Sequence, residues 1–168
     1  MMKQGLIWLS IGFIIVGCSS KEAIELEKEY KAKKYSYKLL QNTERVQFKE
    51  DNVTKILLTA TYINRDNFNN RKHFDEIFLI GLYDGDEEVG SLKTKRLSLE
   101  LNGIAPTKIT PLEKGNSRLK YISFISAWNQ FYEVHFKYVE ASKLTLKIKS
   151  NHFKNKTLSF FKVARYQL

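Results

Sequence analysis

The chain has 168 residues, with 28 Lys and Arg against 18 Asp and Glu, a net charge of +10, and a single cysteine, Cys18. One cysteine excludes an internal disulfide framework, and the absence of any after it excludes thiolate zinc sites and thiol catalysis in the rest of the chain. The fold must stand on its apolar core, and a chain of this size can bury roughly 70% of its unfolded surface without a covalent staple.

Residues 1–17 read as a targeting segment. Lys3 supplies a positive start, and the stretch from Gly5 to Gly17 is uncharged and mostly apolar, with Leu6, Ile7, Trp8, Leu9, Ile11, Phe13, Ile14, Ile15 and Val16. That length suits a signal-peptide apolar region and falls short of the about 20 residues a bilayer-spanning helix needs. The run ends at Ile15-Val16-Gly17-Cys18.

This tetrapeptide resembles the lipobox of bacterial lipoproteins, with Gly17 and Cys18 matching fully and Ile15 standing where Leu is commonest. The resemblance implies that Cys18 becomes the first residue of the mature chain, carrying a diacylglyceryl thioether and an N-acyl group. Two or three acyl chains hold a protein stably at a membrane, where one holds it marginally. Ser19, rather than Asp, after the cysteine implies by analogy with enteric lipoproteins the outer membrane of the cell envelope, with the inner membrane as the alternative.

Residues 21–40 predict a helical spacer. Glu27 with Lys31 and Glu29 with Lys33 are spaced i, i+4 with the acid first, and glutamates crowd the early turns while lysines crowd the later ones. The apolar residues Ile24, Leu26, Tyr30 and Tyr35 form a thin stripe, so much of this helix is expected to be solvated.

From about Arg45 the pattern changes to period two. Residues 54–63 set Ile56, Leu58, Ala60 and Tyr62 on one face, and residues 95–101 alternate Leu97, Leu99 and Leu101 with Arg96, Ser98 and Glu100. Residues 77–83 are apolar on both faces apart from Gly81, which predicts a central strand. Further strands are expected at 119–125, 131–139, 144–148 and 158–166. Turn signals separate them at Asp84-Gly85, Asn102-Gly103, Pro106, Pro111 and Gly115-Asn116. The class is therefore mainly β, an antiparallel sandwich or small barrel over residues 41–168, following a 1–17 signal peptide and an 18–40 lipidated cysteine and spacer. This part resembles the immunoglobulin-like modules of small bacterial lipoproteins in class, without a motif that names a family.

One hairpin has a register consistent on both faces. With residues 140–142 as the loop, Tyr138, Phe136 and Val134 oppose Leu144, Leu146 and Ile148, while Lys137, His135 and Glu133 oppose Thr145, Lys147 and Lys149. Lys143, Lys147 and Lys149 then project from one side, and with Lys137 they form a positive strip.

Charge is distributed unevenly. Residues 21–106 hold fifteen basic and fifteen acidic side chains, and residues 107–168 hold twelve basic and three acidic. Such a field attracts anionic partners, and for an exported lipoprotein these are anionic lipid, acidic polysaccharide or an acidic envelope protein. A basic chain in the cytosol would point to nucleic acid, which the lipobox argues against.

Signals for chemistry are sparse. His73, His135 and His152 are scattered, and His73-Phe74-Asp75-Glu76 lacks the helical spacing of a zinc motif. Asp84-Gly85-Asp86-Glu87-Glu88 lacks the ligand spacing of a calcium loop and reads as a hairpin turn. No metal or cofactor is expected. Trp128, Phe131 and Tyr132 concentrate aromatic surface between two strands, read as core closing one end of the sandwich. Glu50-Asp51-Asn52-Val53-Thr54 resembles the acidic extended glycosylation sequon of some epsilon-class bacteria, but reads first as a turn at Asn52. The expected function is lipid-anchored, non-catalytic binding or scaffolding in the cell envelope. The alternatives are an envelope enzyme with loop-borne catalytic residues and an accessory subunit of an envelope complex.

Overall fold

The structure, a computed structural model of the chain, describes residues 21–63, 74–85, 92, 97–122, 125 and 130–162. A helix, α1 (Lys21–Gln41), precedes β1 (Thr43–Glu50), β2 (Val53–Tyr62), β3 (Glu76–Asp84), β4 (Leu97–Leu101), β5 (Lys108–Leu112), β6 (Gln130–Phe136), β7 (Lys143–Ser150) and β8 (Lys156–Phe161). The strands pair antiparallel in two sheets, ordered β1-β2-β3-β6-β5 and β4-β7-β8. The expected sandwich forms, and because the sheets remain separate the small barrel does not. Setting β1 aside, β2-β3-β6-β5 against β4-β7-β8 reproduces the ABED and CFG strand order of a constant-type immunoglobulin sandwich.

Alternation explains why the layers meet as they do. Leu97, Leu99 and Leu101 of β4, Leu144, Leu146 and Ile148 of β7, and Leu158 and Phe160 of β8 are buried on the inner face of the small sheet. Opposite them stand Ile56, Leu58, Ala60 and Tyr62 of β2, Phe78, Ile80 and Leu82 of β3, and Tyr132, Val134 and Phe136 of β6. Phe78 occupies the middle, 5.1 Å from Phe160 and 5.8 Å from Phe136 in edge-on contacts and 5.2 Å from Tyr62. Aromatic packing of this kind fills the space between sheets that no disulfide spans.

Two tight turns follow directly from their residues. Asp51 and Asn52, at φ 48° and 64°, form the two-residue loop between β1 and β2, so Asn52 does sit in a turn. Asn102 and Gly103, at φ 47° and 85°, reverse the chain after β4, closed by reciprocal backbone bonds of 2.8 Å between Leu101 and Ile104.

The expected β6–β7 hairpin is not formed. β6 pairs with β3 and β5, β7 pairs with β4 and β8, and residues 137–142 cross from one sheet to the other. Two strands that alternate in phase satisfy an edge-to-edge pairing and a face-to-face packing equally well. Here Val134, Phe136, Leu144, Leu146 and Ile148 meet across the core. Asp84-Gly85 closes the end of β3, the residues that would return from a hairpin there, 86–91 and 93–96, lie outside the described residues, and the next described strand, β4, belongs to the other sheet.

A strand at 119–125 is also not what forms. Ser117–Leu119 is a 3-10 turn capped by the Asn116 side chain, and Leu119 and Ile122, three residues apart, both turn onto the outer face of the large sheet. Pro111, read as a turn, lies inside β5, which is an edge strand where a missing N–H costs no ladder bond. Strand β1, anticipated only as the start of period two, forms the opposite edge.

Helix α1 reaches the domain with its last turns only. Leu39 is buried in a second core with Leu79, Leu119, Ile122 and Phe131, Ser36 Oγ donates to Tyr121 O at 3.0 Å, and Tyr35 meets the Tyr121 ring edge-on at 5.1 Å. Residues 21–31 are exposed throughout. A chain beginning at Ala32 is therefore expected to unfold cooperatively with nearly unchanged stability. One beginning at Asn42 loses the Leu39 contact and about 1.5–3 kcal/mol. Thermal unfolding of the two chains, followed by circular dichroism, checks both.

Candidate anionic-partner face and the charged groups around it

The outer face of the small sheet carries the polar half of its alternation. From β7 come Lys143, Thr145, Lys147 and Lys149, from β4 Ser98 and Glu100, and from β8 Thr157, Ser159 and Phe161. The register sets Lys147 between Glu100 and Thr157, Thr145 beside Ser159, and Lys143 beside Phe161. The three β7 lysines thus share one side, as their spacing implies.

Their neighbours differ from those expected. Lys149 is ion-paired with Glu100, so it contributes little net field. Lys143 and Lys147 are exposed and have no ion-pair partner among the described residues. Lys137 lies just past the end of β6, on the connection between sheets, and does not oppose Thr145. Thr145 itself is held by Asn102, whose Oδ1 accepts its backbone N–H at 2.6 Å.

Glu133 and His135 belong to the opposite layer, on the outer face of the large sheet, and meet neither Lys149 nor Lys147. Arg118 Nε lies 2.7 Å from Glu133 Oε2, and the Glu133 Oε1 to His135 Nε2 distance is 2.7 Å. Asp75 Oδ2 stands 3.8 Å from the other ring nitrogen of His135. Glu133 takes one ring nitrogen of His135 in a hydrogen bond, while Asp75 stands beyond hydrogen-bond distance of the other. Among the described residues no group of three or more His, Cys, Asp or Glu side chains is placed to hold a metal. Cys18, His73 and Trp128 lie outside the described residues.

Sequence reasoning missed a second charged centre. Glu76 and Lys162 are 2% and 3% exposed, a buried carboxylate and a buried ammonium, with Lys162 Nζ 2.5 Å from Glu76 Oε1. Tyr62 donates its hydroxyl to Glu76 Oε2 at 2.7 Å, and the Val139 N–H donates to Oε1 at 3.1 Å. The Lys162 ammonium donates to Val139 O and lies 4.0 Å from the centre of the Tyr138 ring. Glu76 and Lys162 together hold both backbone groups of Val139, in the crossing between β6 and β7. The signal was parity: Glu76 is in phase with Phe78, Ile80 and Leu82, and Lys162 with Leu158 and Phe160, so two opposite charges fall on inward positions.

Burial first, and then the hydrogen bond to Glu76, hold the Tyr62 phenol far above its ordinary value of 10.0. The sign follows from linkage: below pH 10 both states keep the proton, and above it the unfolded chain ionises while the folded one does not. Stability from this group is complete below pH 10 and declines above it by up to about 1.4 kcal/mol per pH unit. Tyr62→Phe should show a shallower fall in Tm between pH 9 and pH 11 than the wild-type chain.

The sheets and their ordering define an immunoglobulin-like β-sandwich with an added edge strand and a projecting helix. Comparison with protein-family models, curated proteins and solved structures gives no match.

Proposed function

We propose that this protein is a lipid-anchored component of the bacterial cell envelope that binds an anionic partner, without chemistry, through the lysine-bearing outer face of its small sheet. The observation that carries the binding role is the placement of Lys143 and Lys147 on the solvent-facing side of the small sheet with Thr145, Thr157 and Ser159 beside them. Lysines there attract anionic groups, and the hydroxyls between them suit the hydrogen-bonding groups of an acidic polysaccharide. The anchor rests on the sequence Ile15-Val16-Gly17-Cys18 after its apolar run, and the α1 spacer carries the domain away from it.

Each uncompensated lysine near an anionic surface contributes about 1 kcal/mol and its effect fades within a Debye length. Lys143→Gln with Lys147→Gln is expected to weaken binding to a polyuronate or to anionic vesicles by roughly 30-fold at low salt. Glutamine is preferred to glutamate because Glu100 lies directly opposite Lys147. Cosedimentation at low and physiological salt measures it. Stronger retention on polyuronate than on vesicles would identify the sugar polymer, and equal binding by variant and wild type would remove the face from the account.

A further inference from the structure

Helix α1 presents a second, unused surface. Leu26, Tyr30, Lys33, Tyr37 and Leu40 recur at alternating spacings of four and three residues, which places them in one row along the helix. Leu26 and Tyr30 are 67% exposed, Tyr37 63% and Leu40 52%. The row is turned away from Leu39, the residue that the helix buries against its own domain, and its last member, Leu40, borders Ser36 one turn back. Residues 21–31 are all exposed, so this half of the helix gains little from tertiary packing, and isolated helical segments of that length are marginal in water.

Charge says what covers it. Residues 21–30 carry Glu22, Glu25, Glu27 and Glu29 against Lys21 and Lys28, whereas residues 31–41 carry Lys31, Lys33, Lys34 and Lys38 and no acid. A copy running parallel would set acid on acid and base on base. A copy running antiparallel sets the acidic half of each helix on the basic half of the other.

We infer that α1 pairs antiparallel with α1 of a second copy of this chain, through the row from Leu26 to Leu40. In the register that matches the rows, Leu26 of one chain meets Tyr37 of the other, Tyr30 meets Lys33, and Glu27 flanks Lys34 at both ends. Tyrosine and the lysine stem supply apolar contact while the ammonium reaches solvent. The two residue-21 ends then lie about 30 Å apart, a spacing that one membrane surface accommodates with the helices lying along it. The pairing does not depend on lipidation of Cys18.

Cysteine cross-linking reads the geometry. The full chain carrying Cys18→Ser is prepared in detergent with Leu26→Cys or with Tyr37→Cys, and each is oxidised alone and as an equal mixture. Both positions are exposed, so neither substitution perturbs the core. The mixture is expected to give disulfide-linked dimer in several-fold greater yield than either variant alone, because 26 meets 37 and neither meets itself. Single variants that cross-link as strongly as the mixture would overturn the antiparallel pairing. Absence of cross-linking together with a monomeric mass in sedimentation would overturn self-association altogether.

Discussion

Lys162→Ala is expected to lower folding stability by about 3–5 kcal/mol, and Glu76→Ala by a similar amount, because each leaves the other charge buried without its counter-ion. In a chain of this size that corresponds to a fall in Tm of roughly 10 °C or more. The loss is not the net worth of the ion pair, since removing both charges together is much cheaper. Glu76→Gln with Lys162→Met keeps the amide oxygen as acceptor for Val139 N–H and lets the amide NH2 donate to the Tyr62 hydroxyl while removing both ions, and it should lie closer to wild type than either alanine variant. Denaturant unfolding of the three variants measures this. Single variants within 1 kcal/mol of wild type would mean that the pair does not hold the crossing between β6 and β7.

The placement of that pair also marks where sequence reasoning succeeded and where it stopped. The inward residues of β2, β4 and β7 were legible because alternation reports which side chains are buried, and burial is a property of each strand by itself. Partner choice is not such a property. The segments of β6 and β7 matched as a hairpin on both faces, yet their apolar sides meet across the sandwich, because in-phase alternation is blind to whether two strands share an edge or a core. His135, Glu133 and Lys137 were misplaced by that one error. Pro111 misled for a different reason, since only the position of β5 at the sheet edge makes proline tolerable there. The lysine row on β7 survived both errors because it depends on the pleat of a single strand, although its pairing with Glu100 became visible only with the neighbouring strand in place.

The largest effect expected of any single substitution is at Cys18. On the proposed reading, Cys18→Ser blocks the first covalent step, because thioether formation needs the sulfur and the cleavage that follows acts on the lipidated chain. The variant should accumulate as a precursor that keeps residues 1–17, while wild type loses them. Two or three acyl chains bury enough methylenes, at about 0.8 kcal/mol each, to keep the mature protein in the membrane fraction through washes that strip a peripheral protein. High salt should release anything held by the lysine face alone and leave the anchored chain behind.

Intact mass of the wild-type protein recovered from bacterial membranes tests the central claim most directly. The account predicts a chain that begins at Cys18 and carries the added mass of a diacylglyceryl group, with or without a further acyl chain on its amino terminus. A chain that still contains residues 1–17 and has no lipid mass would contradict it.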